Sequence, residues 1–152
     1  MPKAKTAQKD VEIVLSTDAP VAVRDVILKN IHEANVKELG PMDMQMLRLV
    51  LQGADGKPLG GMWGRTSYRW LFIELLAVPE SLRGRGLGTE LLQRAEAEAK
   101  RRGCIGAWLD TFSTQSRRLY ERCGFKVIGE IPDYPPGNTR VFMTKRWDGP
   151  LT

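Results

Sequence analysis

The chain changes several times between a two-residue and a helical periodicity. Residues 44–52 (MQMLRLVLQ) and 59–65 alternate closely enough for strands, and Ala54-Asp55-Gly56-Lys57 between them carries the Asp-Gly of a hairpin turn. Gly60, Gly61 and Gly64 in the second run mark bends or close backbone approach. Residues 66–69 turn the chain into 70–78 (WLFIELLAV), apolar except for Glu74, which reads as a buried strand. Three such strands in succession make an antiparallel meander.

A helix follows, with Leu87, Leu91, Leu92, Ala95 and Ala99 on one face. Glu90–Arg94, Glu96–Lys100 and Glu98–Arg102 stand at i,i+4 on the other, and Gly103 caps the end. Residues 104–110 return as a strand, so strand, helix and strand form a right-handed crossover and a parallel pair. Residues 114–122 read as a short helix ended by Gly124, and 125–131 and 139–146 as the last two strands. The loop between them holds Pro132, Pro135 and Pro136 and is long enough to wall a pocket.

Before the meander, the β-branched run 11–15 reads as a first strand. Ser16, Thr17 and Asp18 offer caps, and Pro20 sits near a first helical turn. Val23, Ile27, Ile31 and Ala34, joined by Val26, then recur at helical spacing until Gly40 and Pro41 stop the helix.

A length of 152 residues suits a mobile basic tail over residues 1–10 and one domain over 11–152. Hydrophobic residues at 42% and charged ones at 27% are globular values, which excludes disorder as the class. No apolar run has the length of a membrane span and no signal peptide opens the chain, so the expected setting is cytoplasmic, without a membrane partner. Cys104 and Cys123 are too few for a disulfide framework and lack metal-ligand spacing; they read as reduced, buried thiols. With His32 the only histidine, no metal is expected. The net charge of +5 is modest and divides between the tail and a basic loop, so nucleic-acid binding is not expected.

That loop is Arg83, Gly84, Arg85, Gly86, Leu87 and Gly88, followed by Thr89 in the helix. Strand, glycine-rich loop and helix N-terminus make a place to hold phosphate: the amides converge, the dipole favours an anion, and glycines let the backbone approach. The two arginines add charge-assisted donors suited to a pyrophosphate. No Gly-Lys-Ser/Thr follows, which argues against a nucleoside triphosphatase.

Arg83, Gly86 and Gly88 match the Gln/Arg-x-x-Gly-x-Gly/Ala pattern of the acyl-coenzyme A loop in the GNAT (general-control-related N-acetyltransferase) superfamily. A second stretch, STQSRRLYERCGF over 113–125, resembles that superfamily's Asn-x-x-Ala-x-x-Leu/Phe-Tyr-x-x-x-Gly-Phe block through Leu119, Tyr120, Gly124 and Phe125. Ser113 and Ser116 stand where Asn and Ala are usual, which puts a pantetheine contact at Ser113 in question.

The resemblance implies a mixed α/β fold: a twisted sheet, splayed at a central parallel pair and flanked by helices. It also implies two short helices in the first half, with a break near residues 30–34. Acetyl-coenzyme A would enter as co-substrate, with Leu76, Ala77 and Val78 beside a strand bulge along its pantetheine arm and the amides of residues 83–88 on its pyrophosphate. The acceptor would be a primary amine of a small molecule, a peptide or a protein, and a homodimer is a compatible assembly.

Tyr120 matches the family's general acid, with packing against the cofactor sulfur as the other reading. Glu74 is the candidate base, amid apolar neighbours on the strand face of Trp70 and Phe72; the other reading is a carboxylate paired with an arginine. Asp110 is a weaker rival. Trp63, Tyr68, Trp70 and Tyr134 are candidates for the acceptor site, with core packing as the other reading. The alternative function is an acyl-coenzyme A-binding module with weak or lost catalysis.

Overall fold

The chain divides into two compact units, Met1–Pro41 and Met42–Thr152. A computed structural model describes residues 10–149, so the basic tail expected over residues 1–10 falls, apart from Asp10, outside the described residues.

In the first unit, helix α1 spans Val21–Leu39 without a break. Neither Gly nor Pro lies between those ends to interrupt the hydrogen-bond ladder, so the break expected near residues 30–34 does not occur. The helix begins after Pro20, whose carbonyl accepts the Val23 N–H at 2.9 Å, and ends at Gly40 with φ 84°. The expected cap residues do not cap it; the Ser16 hydroxyl instead donates to Asp18 at 3.2 Å. Residues 11–15 do not form the expected strand. Val11, Ile13, Val14 and Leu15 are 70–98% exposed, and no described strand pairs with them. An extended run becomes a strand only through ladder bonds to a neighbour, whatever its β propensity.

The second unit holds β1 (Gln45–Gln52), β2 (Pro58–Ser67), β3 (Trp70–Ala77), α2 (Leu87–Arg101), β4 (Gly106–Thr111), α3 (Thr114–Arg122), β5 (Lys126–Pro132) and β6 (Thr139–Arg146). They build one six-stranded sheet in the order β1-β2-β3-β4-β6-β5. Every neighbouring pair is antiparallel except β3 and β4. At the hairpin tip the Lys57 N–H donates to Asp55 at 3.0 Å. Gly61 is obligatory in β2: its φ is 141°, and a Cβ there would stand 2.0 Å from the Leu49 carbonyl oxygen.

Helices α2 and α3 lie together on one sheet face. A Cβ on Gly88 would sit 3.0 Å from Leu119, and Lys145 of β6 reaches Glu96 of α2 at 2.6 Å. Leu91, Leu92, Ala95 and Ala99 of α2 and Tyr120 of α3 join the fully buried Leu71, Leu109 and Met143 in one core. Each large side chain so enclosed stabilises the fold by about 1.5–3 kcal/mol. The three α2 ion pairs expected from the spacing form at 2.7, 2.9 and 2.8 Å. Arg102 reaches further, donating to the Met46 carbonyl at 3.1 Å and tying the end of α2 to β1. The opposite sheet face has no helix of this unit upon it. It carries Arg48 over the Trp63 ring at 4.1 Å, Arg65 over Phe72 at 4.7 Å, and Phe72 stacked on Trp108 at 4.1 Å.

Candidate active site

The site begins with an irregularity in β3. Trp63 of β2 pairs with Leu75 and the next residue, Gly64, pairs with Ile73, so Glu74 is an extra residue: a β-bulge. Leu71 and Ile73 point into the core before it, and Leu76 and Val78 pack against the core after it. Glu74 and Leu75 are both left exposed. On its other side β3 runs parallel to β4 for three pairs only, Trp70 with Gly106, Leu71 with Ala107 and Phe72 with Trp108. Beyond Phe72 the two strands part, as a bulge that bends and twists one of them requires.

The opening is a cleft of about 400 Å³. Leu76, Ala77 and Val78 line it from the end of β3, and Arg83, Gly84 and Gly86 from the loop. Leu87, Gly88 and Thr89 line it from the first turn of α2, and Ser113 from the N-terminus of α3. Gly84 and Gly86 have φ of 79° and 73°, and a Cβ at either would meet nothing within 4 Å. The backbone there curls around empty space. Gly86 caps α2 without a side chain, and the first intrahelical bond is from the Glu90 N–H to the Gly86 carbonyl, so the amides of residues 87–89 remain unpaired within the helix. Among the described residues neither Arg83 nor Arg85 has a carboxylate partner. Unbonded amides, two uncommitted guanidiniums and room beside them fit a pyrophosphate on chemistry alone.

Arg85 belongs to the loop but does not line the cleft. Ser113 does line it while its hydroxyl accepts the Ser116 N–H at 3.2 Å, so it also caps α3. Leu82, Gln115 and Arg122 line the cleft too and were not singled out by the motifs, and the motif residue Leu119 lines it without having been assigned to the cofactor. Gln115, Leu119 and Arg122 follow one another at helical spacing on α3, and that face was the available signal.

Tyr120 sits on the core side of α3, 6% exposed, edge-on to Phe125 at 5.9 Å. Among the described residues its hydroxyl has no hydrogen-bond partner, yet no fully buried polar atom there lacks one, so the oxygen reaches solvent-accessible space. Burial, and then the charges of Asp110 and Cys123, push its pKa up. Glu74 is not enclosed by apolar neighbours as the sequence suggested. The bulge holds it outward, about half-exposed and 3.5 Å from Arg65. Asp110 is committed to Arg140, which donates to one of its oxygens from both Nε (2.9 Å) and Nη2. The aromatic candidates for the acceptor site are dispersed: Tyr68 in the β2–β3 turn, Trp63 under Arg48, Trp70 at the start of β3, and Tyr134 on the β5–β6 loop bonded to Arg140 at 2.9 Å. Cys104 is buried and its thiol pKa raised by that burial, whereas Cys123 is only partly covered.

The sequence profile of the acetyltransferase (GNAT) family matches residues 42–125, more than half of the chain. The chain belongs to the GNAT acetyltransferase family. This acetyltransferase is 36% identical to an acetyltransferase of Agrobacterium fabrum over 134 residues, which is 88% of this chain and 95% of that one. It is 36% identical to the blasticidin-S acetyltransferase of Streptomyces morookaense over 123 residues, 80% and 89% of the two chains. A solved structure from Agrobacterium tumefaciens, described as an acetyltransferase, superposes with a TM-score of 0.87 at 35% identity, covering 90% of this chain and all of its own. The mixed α/β fold with a splayed parallel pair is therefore the fold of an acyltransferase. No helix among the described residues of the acetyltransferase is long and apolar enough to cross a membrane.

Proposed function

We propose that this acetyltransferase moves an acetyl group from acetyl-coenzyme A to a primary amine of a small molecule or peptide, by direct attack in a ternary complex. The cleft between β3 and α3, floored by open loop amides, is the observation that carries the reading. The likeness to a blasticidin-S acetyltransferase favours a small-molecule acceptor. Acetyl-coenzyme A supplies an activated thioester, so that a C–N bond replaces a C–S bond and a thiol is released.

The residues divide the remaining work. The amides of residues 84–88 and the Arg83 side chain hold the pyrophosphate, the Arg83 N–H being donated to the Glu80 carbonyl at 3.2 Å instead; Arg85 adds its charge from outside the cleft lining, and Thr89 lies beside them in the first turn of α2. Leu76, Ala77 and Val78 present backbone along the parted strand edge, and Ser113 faces them across the cleft. The Val78 N–H polarises the carbonyl oxygen on which negative charge develops. The Tyr120 hydroxyl, kept protonated by its raised pKa, gives its proton to the departing sulfur. Glu74 takes the proton of the attacking amine, directly or through water.

The Glu74 role is tested by Glu74→Gln. Its partner Arg65 is as exposed as it is, so the pair contributes no more than about 1 kcal/mol and the melting temperature should barely move. Turnover should fall roughly tenfold and the acidic limb of the rate–pH profile should disappear. An unaltered profile in a folded protein removes Glu74 from the chemistry. Coenzyme A release measured against a panel of amines tests the function itself; no release with any amine favours the binding-module reading.

A further inference from the structure

Strands β3 and β4 part with a carboxylate on each side of the opening. Their pairing sets Trp70 beside Gly106, Leu71 beside Ala107 and Phe72 beside Trp108. Carried two places further, the same register brings Glu74 and Asp110 to matching positions across the gap. They share a sheet face. Ala107 and Leu109 are core residues, so Trp108 and Asp110 point the other way. Trp108 stacks on Phe72, and Arg65 lies both over the Phe72 ring at 4.7 Å and 3.5 Å from Glu74. Asp110 is held with little freedom. Arg140 donates to its Oδ1 from Nε and Nη2 and, through Nη1, to the Tyr134 hydroxyl at 2.9 Å. The guanidinium also packs on the Phe112 ring at 4.6 Å and the Tyr134 ring at 5.0 Å. Arginine's fork can take both oxygens of a carboxylate, and here it leaves one over. Among the described residues Oδ2 of Asp110 has no donor. All of these residues belong to the second unit.

We infer that Asp110 receives the acceptor amine in its protonated form: the ammonium lies in the gap between Asp110 and Glu74 and donates to the open Oδ2, which Arg140 positions. The inference rests on the acetyl-transfer reading and narrows its acceptor to aliphatic primary amines, which are cations at neutral pH. Such an ammonium carries three N–H donors. One meets Asp110, and another meets Glu74, which removes that proton so that the freed lone pair attacks the thioester carbon. Tyr120 meets the departing sulfur from the core side of the sheet. Burial first, and then the charge of Asp110, raise the Tyr120 pKa, so the two groups lie within reach of each other's fields. Of the three protons Glu74 takes one and the amide keeps one. The last leaves as the tetrahedral adduct collapses, matching the one that Tyr120 gives to sulfur. Arg65 beside Glu74 and Arg140 beside Asp110 offset the repulsion between two carboxylates brought to one gap. A charge-assisted hydrogen bond is about twice as strong as a neutral one, so the site favours an alkylammonium over an uncharged arylamine of similar shape.

Nuclear magnetic resonance on the full chain, loaded with coenzyme A and carrying carbon-labelled aspartate, tests the inference without needing turnover. The probes are propylamine, benzylamine and phenethylamine, with aniline as the uncharged comparison at neutral pH. At least one alkylamine should shift the Asp110 carboxyl signal saturably, and aniline should not. Asp110→Asn should weaken alkylamine binding, followed on the backbone amides around residues 74 and 110, roughly tenfold or more. Its affinity for coenzyme A should stay unchanged. Asp110→Glu keeps the charge and the Arg140 partner but moves the carboxylate by a methylene; it should restore part of the affinity, and it carries the test alone if a circular dichroism melt shows Asp110→Asn unfolded. A pair that only braces the β5–β6 loop would lower the melting temperature without separating cation from neutral amine. Three silent alkylamines, aniline bound as well as an alkylamine, or unchanged affinity in both variants overturns the inference. Alkylammonium bound at Asp110 with no coenzyme A release from acetyl-coenzyme A overturns the acetyl-transfer reading instead.

Discussion

In the Gly86→Asp variant, acetyl-coenzyme A should no longer raise the melting temperature. The wild type should show a clear rise, because a ligand that binds only the folded state stabilises it by mass action. The variant changes two things at one point. It places a Cβ and a carboxylate in the empty space that Gly86 encloses, and it asks an L residue to hold φ 73°. The second change is mild, since aspartate tolerates the left-handed region better than most residues, and the strain is on the order of 1 kcal/mol. The first puts a negative charge where the unpaired amides of residues 87–89 would meet phosphate. The affinity should fall roughly a hundredfold or more, equivalent to about 3 kcal/mol. Gly86→Asn separates the two contributions, because it repeats the shape and the backbone demand without the charge; its loss should be intermediate. Calorimetric titration measures all three proteins. An unchanged dissociation constant in Gly86→Asp would show that the cofactor lies elsewhere.

The second large effect is expected from Tyr120→Phe. This change keeps the buried ring against Phe125 and removes only the hydroxyl. Turnover should drop roughly tenfold or more with cofactor affinity little changed, the signature of an interaction made only in the transition state. The pH dependence adds an independent readout. Burial comes first among the causes that raise the Tyr120 pKa above 10.0, followed by the charges of Asp110 and Cys123. The hydroxyl therefore stays protonated further into alkali than a free tyrosine, and the alkaline limb of the wild-type profile should lie above its ordinary position. The same shift has a consequence for folding. Because ionised Tyr120 is disfavoured in the folded state, the stability it contributes is fully present below about pH 10 and is lost as pH rises through the raised value. Tyr120→Phe removes that titration, so its alkaline melting profile should be flatter. Unchanged turnover, with chemistry shown to be rate-limiting, would leave Tyr120 a packing residue.

The elements of the second unit were written in local pattern. The helix over 114–122 has the bounds its spacing predicts, and the ion pairs along α2 formed as i,i+4 geometry required. The glycine-rich loop was legible because Gly84 and Gly86 meet a backbone requirement that no other residue meets as cheaply. These are short-range properties, fixed by neighbours a few positions away. What needed the fold was set by contacts far apart in the chain. Periodicity placed Glu74 on the face of Trp70 and Phe72, but its exposure follows from the bulge, which exists because Trp63 and Gly64 of another strand pair around it. Asp110 looked available until Arg140, thirty positions away, closed on it. The cleft depends on β3 and β4 parting after Phe72, a matter of twist rather than of composition. The run 11–15 has the composition of a strand and is not one here, since a strand's hydrogen bonds belong to its neighbour as much as to itself.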